Sequence, residues 1–90
     1  MEITLIKKID KTRTEQTTIY AEPGSITQSE FAAAGQKDIK PARSFIVWAF
    51  EYEGQTEVIH NKTRYTVYRT YQEKESDRIE LYCEERLGRR

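Results

Sequence analysis

The sequence has one cysteine, one histidine and four scattered glycines, and neither sign of charge is in excess, with Lys+Arg and Asp+Glu at 15 each. Each shortage excludes something. Cys83, alone, cannot form an internal disulfide. It lies in a patterned apolar run and reads as a small buried hydrophobe. His60 and Cys83 cannot build a zinc site between them, because such sites need clustered ligands. Gly24, Gly35, Gly54 and Gly88 lie too far apart for a phosphate-cradling loop. Zero net charge argues against binding nucleic acid by phosphate neutralisation and against a polybasic membrane anchor. No apolar stretch approaches the roughly 20 residues that span a bilayer, so no membrane partner is expected. The segment MEITLIKKID lacks the apolar run of a secretory signal, and with a single cysteine it points to a reducing, intracellular setting. A catalytic triad is a spatial arrangement, but His60 stands beside a predicted turn, where an exposed structural role is expected. The carboxylates mostly alternate with basic or apolar residues, as on a solvated face. The reading is of a chain that is not an enzyme, with no catalytic residue, metal or cofactor.

What is present suits one small domain spanning residues 1–90. A chain this short buries only about 60% of the surface its unfolded form exposes. With no disulfide or metal in prospect, association with other subunits is the expected source of further stability. Six of the aromatics are tyrosines. Their apolar body and polar tip suit half-buried sheet faces and interfaces.

Along the chain, Glu2 to Ile9 reads as a strand with a phase slip after Leu5, as from a bulge. Thr14 to Glu22 reads as a second strand, ended by Pro23-Gly24, where proline gives up its donor and glycine accepts positive φ. Thr27-Gln28-Ser29-Glu30 fits a capping box, with Ser25 and Gln28 as a competing start. Phe31-Ala32-Ala33-Ala34 favours helix and Gly35 suits its C-terminal end. The spacing therefore predicts one short helix over Gln28 to Ala34, anchored on the sheet by Phe31. Ser44 to Tyr52 is apolar on both alternating faces, as in a central strand covered on both sides. Glu53-Gly54 is a turn, Thr56 to His60 a strand, and Asn61-Lys62 a tight hairpin turn. Arg64 to Tyr71 puts Tyr65, Val67, Arg69 and Tyr71 on one face and Thr66, Tyr68 and Thr70 on the other. Arg78 to Glu85 turns Ile79, Leu81 and Cys83 inward and Glu80, Tyr82 and Glu84 outward. The basic tail, Arg86 to Arg90, is expected to fray. The sum is a mainly β chain, a small antiparallel barrel of about six strands with one short helix between strands two and three.

The stretch from Ile26 to Gly88 resembles a family of tailed-bacteriophage and prophage proteins called head-closure, head–tail adaptor or head–tail joining proteins. The matching parts are ITQSEFAAAGQKDIKPARSF, FEYEGQTEVIHNKTRYTVYRTYQ and DRIELYCEERLG, in that order. None is a catalytic signature. The resemblance implies a β-barrel core with a projecting loop between the second and third strands. It also implies a ring under the portal, a structural subunit that joins the portal-side adaptor to the tail proteins and helps close the DNA-filled head. Packaged DNA would pass through that ring without sequence-specific binding. The protein would be found in the host bacterial cytoplasm during assembly and at the head–tail junction of the virion. The expected assembly contacts are the edge strands and the Thr27 to Pro41 segment, with Thr27, Phe31, Lys37, Lys40, Tyr68 and Tyr82 as candidates. The alternative is an OB-like module that binds single-stranded nucleic acid, with Tyr65, Tyr68, Tyr71 and Arg69 as a stacking platform.

Overall fold

The computed structural model describes residues 1–85. The tail expected to fray, Arg86 to Arg90, lies outside them. The strands are β1 (Glu2–Lys8), β2 (Thr14–Tyr20), β3 (Glu22–Pro23), β4 (Pro41–Trp48), β5 (Glu57–His60), β6 (Thr63–Tyr71) and β7 (Arg78–Glu85). One helix, α1 (Gln28–Gly35), joins β3 to β4, and a 3-10 turn (Ala49–Glu51) follows β4. The seven strands make a single antiparallel sheet in the order β2-β1-β5-β6-β7-β4-β3, curled into a half-barrel. Its two end strands, β2 and β3, are consecutive in the chain with only Ala21 between them.

That single residue explains a difference from the expected strand count. Thr14 to Glu22 was read as one strand. The chain does run on, but it changes partner at Ala21, from β1 to β4. Ala21 is fully buried, and its N–H and C=O both pair with Met1, at 2.7 and 2.9 Å. Pro23 ends β3 as expected. Gly24 serves a different need from positive φ: a Cβ there would sit 2.4 Å from the Ser44 hydroxyl.

The core lies inside the curl. Ile3, Leu5, Ile19, Ala21, Phe45, Val47, Val58, Tyr65, Leu81 and Cys83 form one buried cluster. Phe45 is central, meeting Tyr65 and His60 edge to face, each at 5.8 Å between ring centroids. His60 is thus a packing residue rather than an exposed one, and its Nδ1 lies 3.2 Å from the Glu2 carbonyl. Cys83 is buried as expected, and burial pushes its thiol up to about 12. The hairpin turn at Asn61-Lys62 forms with both residues at positive φ, 53° and 67°, as a type I′ turn requires. Gly54 turns the chain at φ 81°.

Three expectations of phase are corrected. β1 has no bulge: it pairs in unbroken register with β2 and β5. Ile6 is buried outside the main cluster, opposite Glu57, and Ile9 leaves the strand. The Ser44 to Tyr52 run does not stay in the sheet. Its pairing with β7 ends at Trp48↔Arg78, and the Ala49 N–H donates to the Asp77 carbonyl at 2.8 Å, which starts the 3-10 turn. Nor is β4 covered on both faces, since Trp48 is exposed and its outer neighbour β3 is only two residues long. Register shifts occur instead in β4, between Pro41 and Arg43, and in β6, between Val67 and Arg69. Such bulges add local twist, which helps the sheet curl.

The helix begins at Thr27, whose hydroxyl accepts from the Glu30 N–H at 3.1 Å. It runs through Gly35, one residue past the expected end. The left-handed residue that closes it is Asp38 (φ 65°), not Gly35. The Ile39 N–H donates to the Ala34 carbonyl and the Asp38 N–H to the Gly35 carbonyl, so the last carbonyls are satisfied.

Candidate functional site

Two adjoining areas lie on the outer face of β4, β6 and β7. The first lies under the helix and is built around Glu30. In a capping box Glu30 would reach back to the cap residue. Here it reaches across to β6. Its Oε2 accepts from the Tyr68 hydroxyl at 2.8 Å, and Arg69 Nη2 donates to its Oε1 at 2.6 Å. Arg69 Nε donates to both oxygens, at 3.1 and 3.2 Å. Only 8% of the Glu30 surface remains accessible, against 49% for Phe31. The helix is therefore held by a carboxylate, and Phe31, expected as its anchor, faces solvent. The reason is angular: one short helix cannot turn residues 30 and 31 to the same side.

The β6 bulge makes this clamp possible. In a regular strand, consecutive side chains point to opposite faces. The extra residue is Tyr68, between the pairs Val67↔Cys83 and Arg69↔Tyr82. It rephases the strand, so Tyr68 and Arg69 both reach the outer face. Arg69 then lies over the ring of Tyr82, 4.4 Å from its centroid, and Tyr68 lies 6.4 Å from Tyr82. Tyr82 points outward as expected but is buried beneath these groups, and its hydroxyl donates to Glu80 at 2.8 Å.

The electrostatics follow the contacts. The hydrogen bonds from Arg69 hold the Glu30 carboxyl below its ordinary value, against the opposing effect of burial. The same pairing raises Arg69. Burial, with help from Glu30, pushes the Tyr68 hydroxyl up. Burial and the Glu80 hydrogen bond push Tyr82 up to about 12. All four groups are thus held in their ordinary neutral-pH forms. The arrangement suits a structural clamp, since it stores no proton that could be given up near neutrality.

The second area is bare. Ile46, Tyr71, Glu73, Ser76, Arg78 and Glu80 line an open groove of about 340 Å³. Arg78 leaves it over the ring of Trp48, 4.2 Å from the centroid, and also pairs with Glu22 at 3.3 Å. Beyond Trp48 stands Phe50, 77% exposed, with ring centroids 6.1 Å apart. Trp48 and Phe50 form an exposed aromatic pair, and Tyr71 is exposed on the wall of the groove; exposed aromatics of this kind mark protein–protein contact sites.

The predicted contact residues divide between these settings. Thr27 caps the helix, and Tyr68 and Tyr82 belong to the clamp. Phe31, Lys37 and Lys40 lie exposed along the helix and the segment after it. The four residues of the stacking platform do not form one open face: Tyr65 is in the core, Tyr68 and Arg69 are tied to Glu30, with Arg69 still half-exposed, and Tyr71 is open. Sequence reasoning missed Trp48, Phe50 and Arg78 as surface groups and Glu30 as the anchor. The spacing of Glu30 from Thr27 was a signal, but it pointed to a local partner. Among the described residues no group of three or more His, Cys, Asp or Glu side chains is placed to hold a metal ion, and no helix is long and apolar enough to cross a membrane. In comparisons with known proteins, no family model, no curated protein and no solved structure matches this chain.

Proposed function

We propose that this chain is a structural subunit of a phage or prophage head–tail connector, joining a portal-side adaptor to tail proteins and helping to close the DNA-filled head. The observation that carries the reading is the exposed Trp48–Phe50 pair together with an open groove walled by Tyr71. It is a contact surface held on a rigid sheet. The ordered resemblance from Ile26 to Gly88 names the assembly that such a subunit would join.

In this reading, Thr14 to Pro23 counts as one strand passing through Ala21, and the curled sheet is a six-stranded barrel. Copies stand side by side in a ring, and packaged DNA passes through without sequence-specific binding. The Thr27 to Pro41 segment is drawn onto its own sheet by Glu30, so it offers Phe31, Lys37 and Lys40 as a docking face rather than as a freely projecting loop. The work of the protein is geometric and involves no catalysis, cofactor or membrane. It acts at the virion head–tail junction after assembly in the host bacterial cytoplasm. Deleting the gene from its phage or prophage is expected to leave tailless heads that lose their DNA, seen by electron microscopy and by nuclease sensitivity of the packaged genome. Normal infectious particles after deletion overturn the proposal.

A further inference from the structure

The β1–β2 hairpin runs past the strand beside it. β5 pairs with β1 only at Thr4, Leu5 and Ile6, and Lys7 still reaches Glu53, so residues 8–14 extend beyond the neighbouring strand as a hairpin arm. The tip is pre-formed. The Asp10 carboxylate accepts from the N–H groups of Thr12 and Arg13, both at 2.9 Å, and from Arg13 Nε at 3.1 Å. The Ile9 N–H donates to the Arg13 carbonyl at 3.0 Å. An Asp closing its own turn in this way leaves little conformational entropy to lose on binding. Asp10 is thereby committed to Arg13. Lys7 pairs with Glu53 at 3.5 Å, whereas Lys8 and Lys11 have no acidic partner among the described residues. Between them Ile9 stands 43% exposed. The tip is an apolar side chain flanked by two free cations.

The groove on β4, β6 and β7 has the opposite character. Ile46 and Tyr71 give it an apolar floor and wall. Glu73 and Ser76 line it from the loop Glu73-Lys74-Glu75-Ser76-Asp77, which carries three carboxylates and one cation, and Glu80 and Arg78 line it from β7, with Arg78 drawn off onto Trp48 and Glu22. The carboxylates of Glu73, Glu75 and Asp77 have no basic partner among the described residues. The Ser76 N–H donates to the Glu73 carbonyl at 3.0 Å and Gln72 Nε2 to the Ser76 carbonyl at 2.7 Å, so this loop too is held in place. β7 is the third strand from β1 along the sheet, which puts arm and groove on different sides of the curl.

We infer that the arm of one copy docks in the groove of a second copy, with Ile9 entering between Ile46 and Tyr71 and Lys8 and Lys11 meeting the acidic loop. This rests on the reading of the chain as an assembly subunit and names the contact that joins neighbours. Because arm and groove are different surfaces, the contact is head-to-tail, and it propagates into a ring or an open chain instead of stopping at a dimer. Rim charges of this kind speed encounter and set register, and their effect is screened by salt.

The test is sedimentation of the full chain at low salt, from micromolar to millimolar concentration. The average mass is expected to rise beyond a dimer with concentration and to fall as salt is added. Lys8→Glu with Lys11→Glu, or Glu73→Lys with Glu75→Lys, is expected to weaken association about tenfold or more. Mixing these two charge-reversed proteins is expected to restore it, which a misfolded variant could not do. Ile9→Ser is expected to weaken it without changing its salt dependence. A wild-type chain that stays monomeric throughout overturns the inference, as does a mixture that fails to recover. So does an arm reversal that leaves self-association intact and lowers binding to duplex DNA, which would assign the arm to nucleic acid. The connector reading fails separately: normal particles after gene deletion, with arm–groove association intact, sink that reading alone. Infectious particles from a phage carrying the arm reversal sink only this contact.

Discussion

The outer faces of β4, β6 and β7 are continuous, yet their two halves differ. Under the helix, the Glu30 carboxylate is matched by Tyr68 and Arg69, and the Tyr82 ring beneath them sends its hydroxyl to Glu80 at the border of the two halves. Beyond the helix, the same strands leave Trp48, Tyr71 and the acidic loop open to solvent. The covered half shows how a helix of eight residues, too short to be stable alone, stays in place. It does so through a charge-assisted network seated on aromatic rings, worth more per contact than neutral hydrogen bonds. The bare half shows what the sheet offers when no part of the described chain is spent on covering it. One half holds the molecule together and the other is free to meet something else.

The largest expected effect comes from cutting what both halves share, the core beneath them. Phe45→Ala is expected to cost about 3–5 kcal/mol, read as a lower urea midpoint, because it empties the centre of the buried cluster. A loss comparable to that of a surface change would show that the two halves stand independently. Next comes the clamp. Glu30→Gln keeps the shape but leaves Arg69 without its counter-ion, and about 1–3 kcal/mol should be lost. The half-exposed Arg69 side chain keeps the figure below that of a fully buried pair. Hydrogen exchange of the helix amides should rise in this variant while the β1 amides stay protected. If both rise equally, the clamp is not a local device.

Acid offers a milder version of the same cut. The Glu30 carboxyl is held below its ordinary value of 4.5 in the folded chain. Its contribution is therefore fully present above that value and is lost as the pH falls through the lower, folded value. Stability measured down this range should drop less in Glu30→Gln than in the wild-type chain. An equal drop would assign the acid sensitivity to other carboxylates. The smallest effect is expected in the bare half. Phe50→Ser should change stability by no more than about 0.5 kcal/mol, since the ring is mostly in water already. A larger loss would mean that the aromatic pair supports the fold and is not a free surface.

Several features could be read directly from residue order. The alternation of Ile79, Leu81 and Cys83 marked the inner face of β7, and Asn61-Lys62 marked the turn between β5 and β6, because both signals are local. Thr27 marked the helix start for the same reason. The candidate surface was much less legible. Tyr68 and Arg69 were placed on opposite faces by simple alternation, and a bulge that no residue type announced brought them together. The run SFIVWAFEY read as one covered strand, since an apolar residue looks the same whether it enters a core or leaves a sheet. Its exit at Ala49 depends on a hydrogen bond to Asp77, which is distant in sequence.

By itself, then, the sequence determined a mainly β chain with one capped helix, a buried thiol and a tight hairpin. These follow from periodicity, capping and turn chemistry, which act over a few residues. The tertiary structure alone decided that the strand through Ala21 changes partner, that Glu30 and not Phe31 holds the helix, and that Trp48 and Phe50 face outward. Each of those depends on which strands become neighbours. Pairing between distant strands is set by the packing of the whole sheet, and no local pattern carries it.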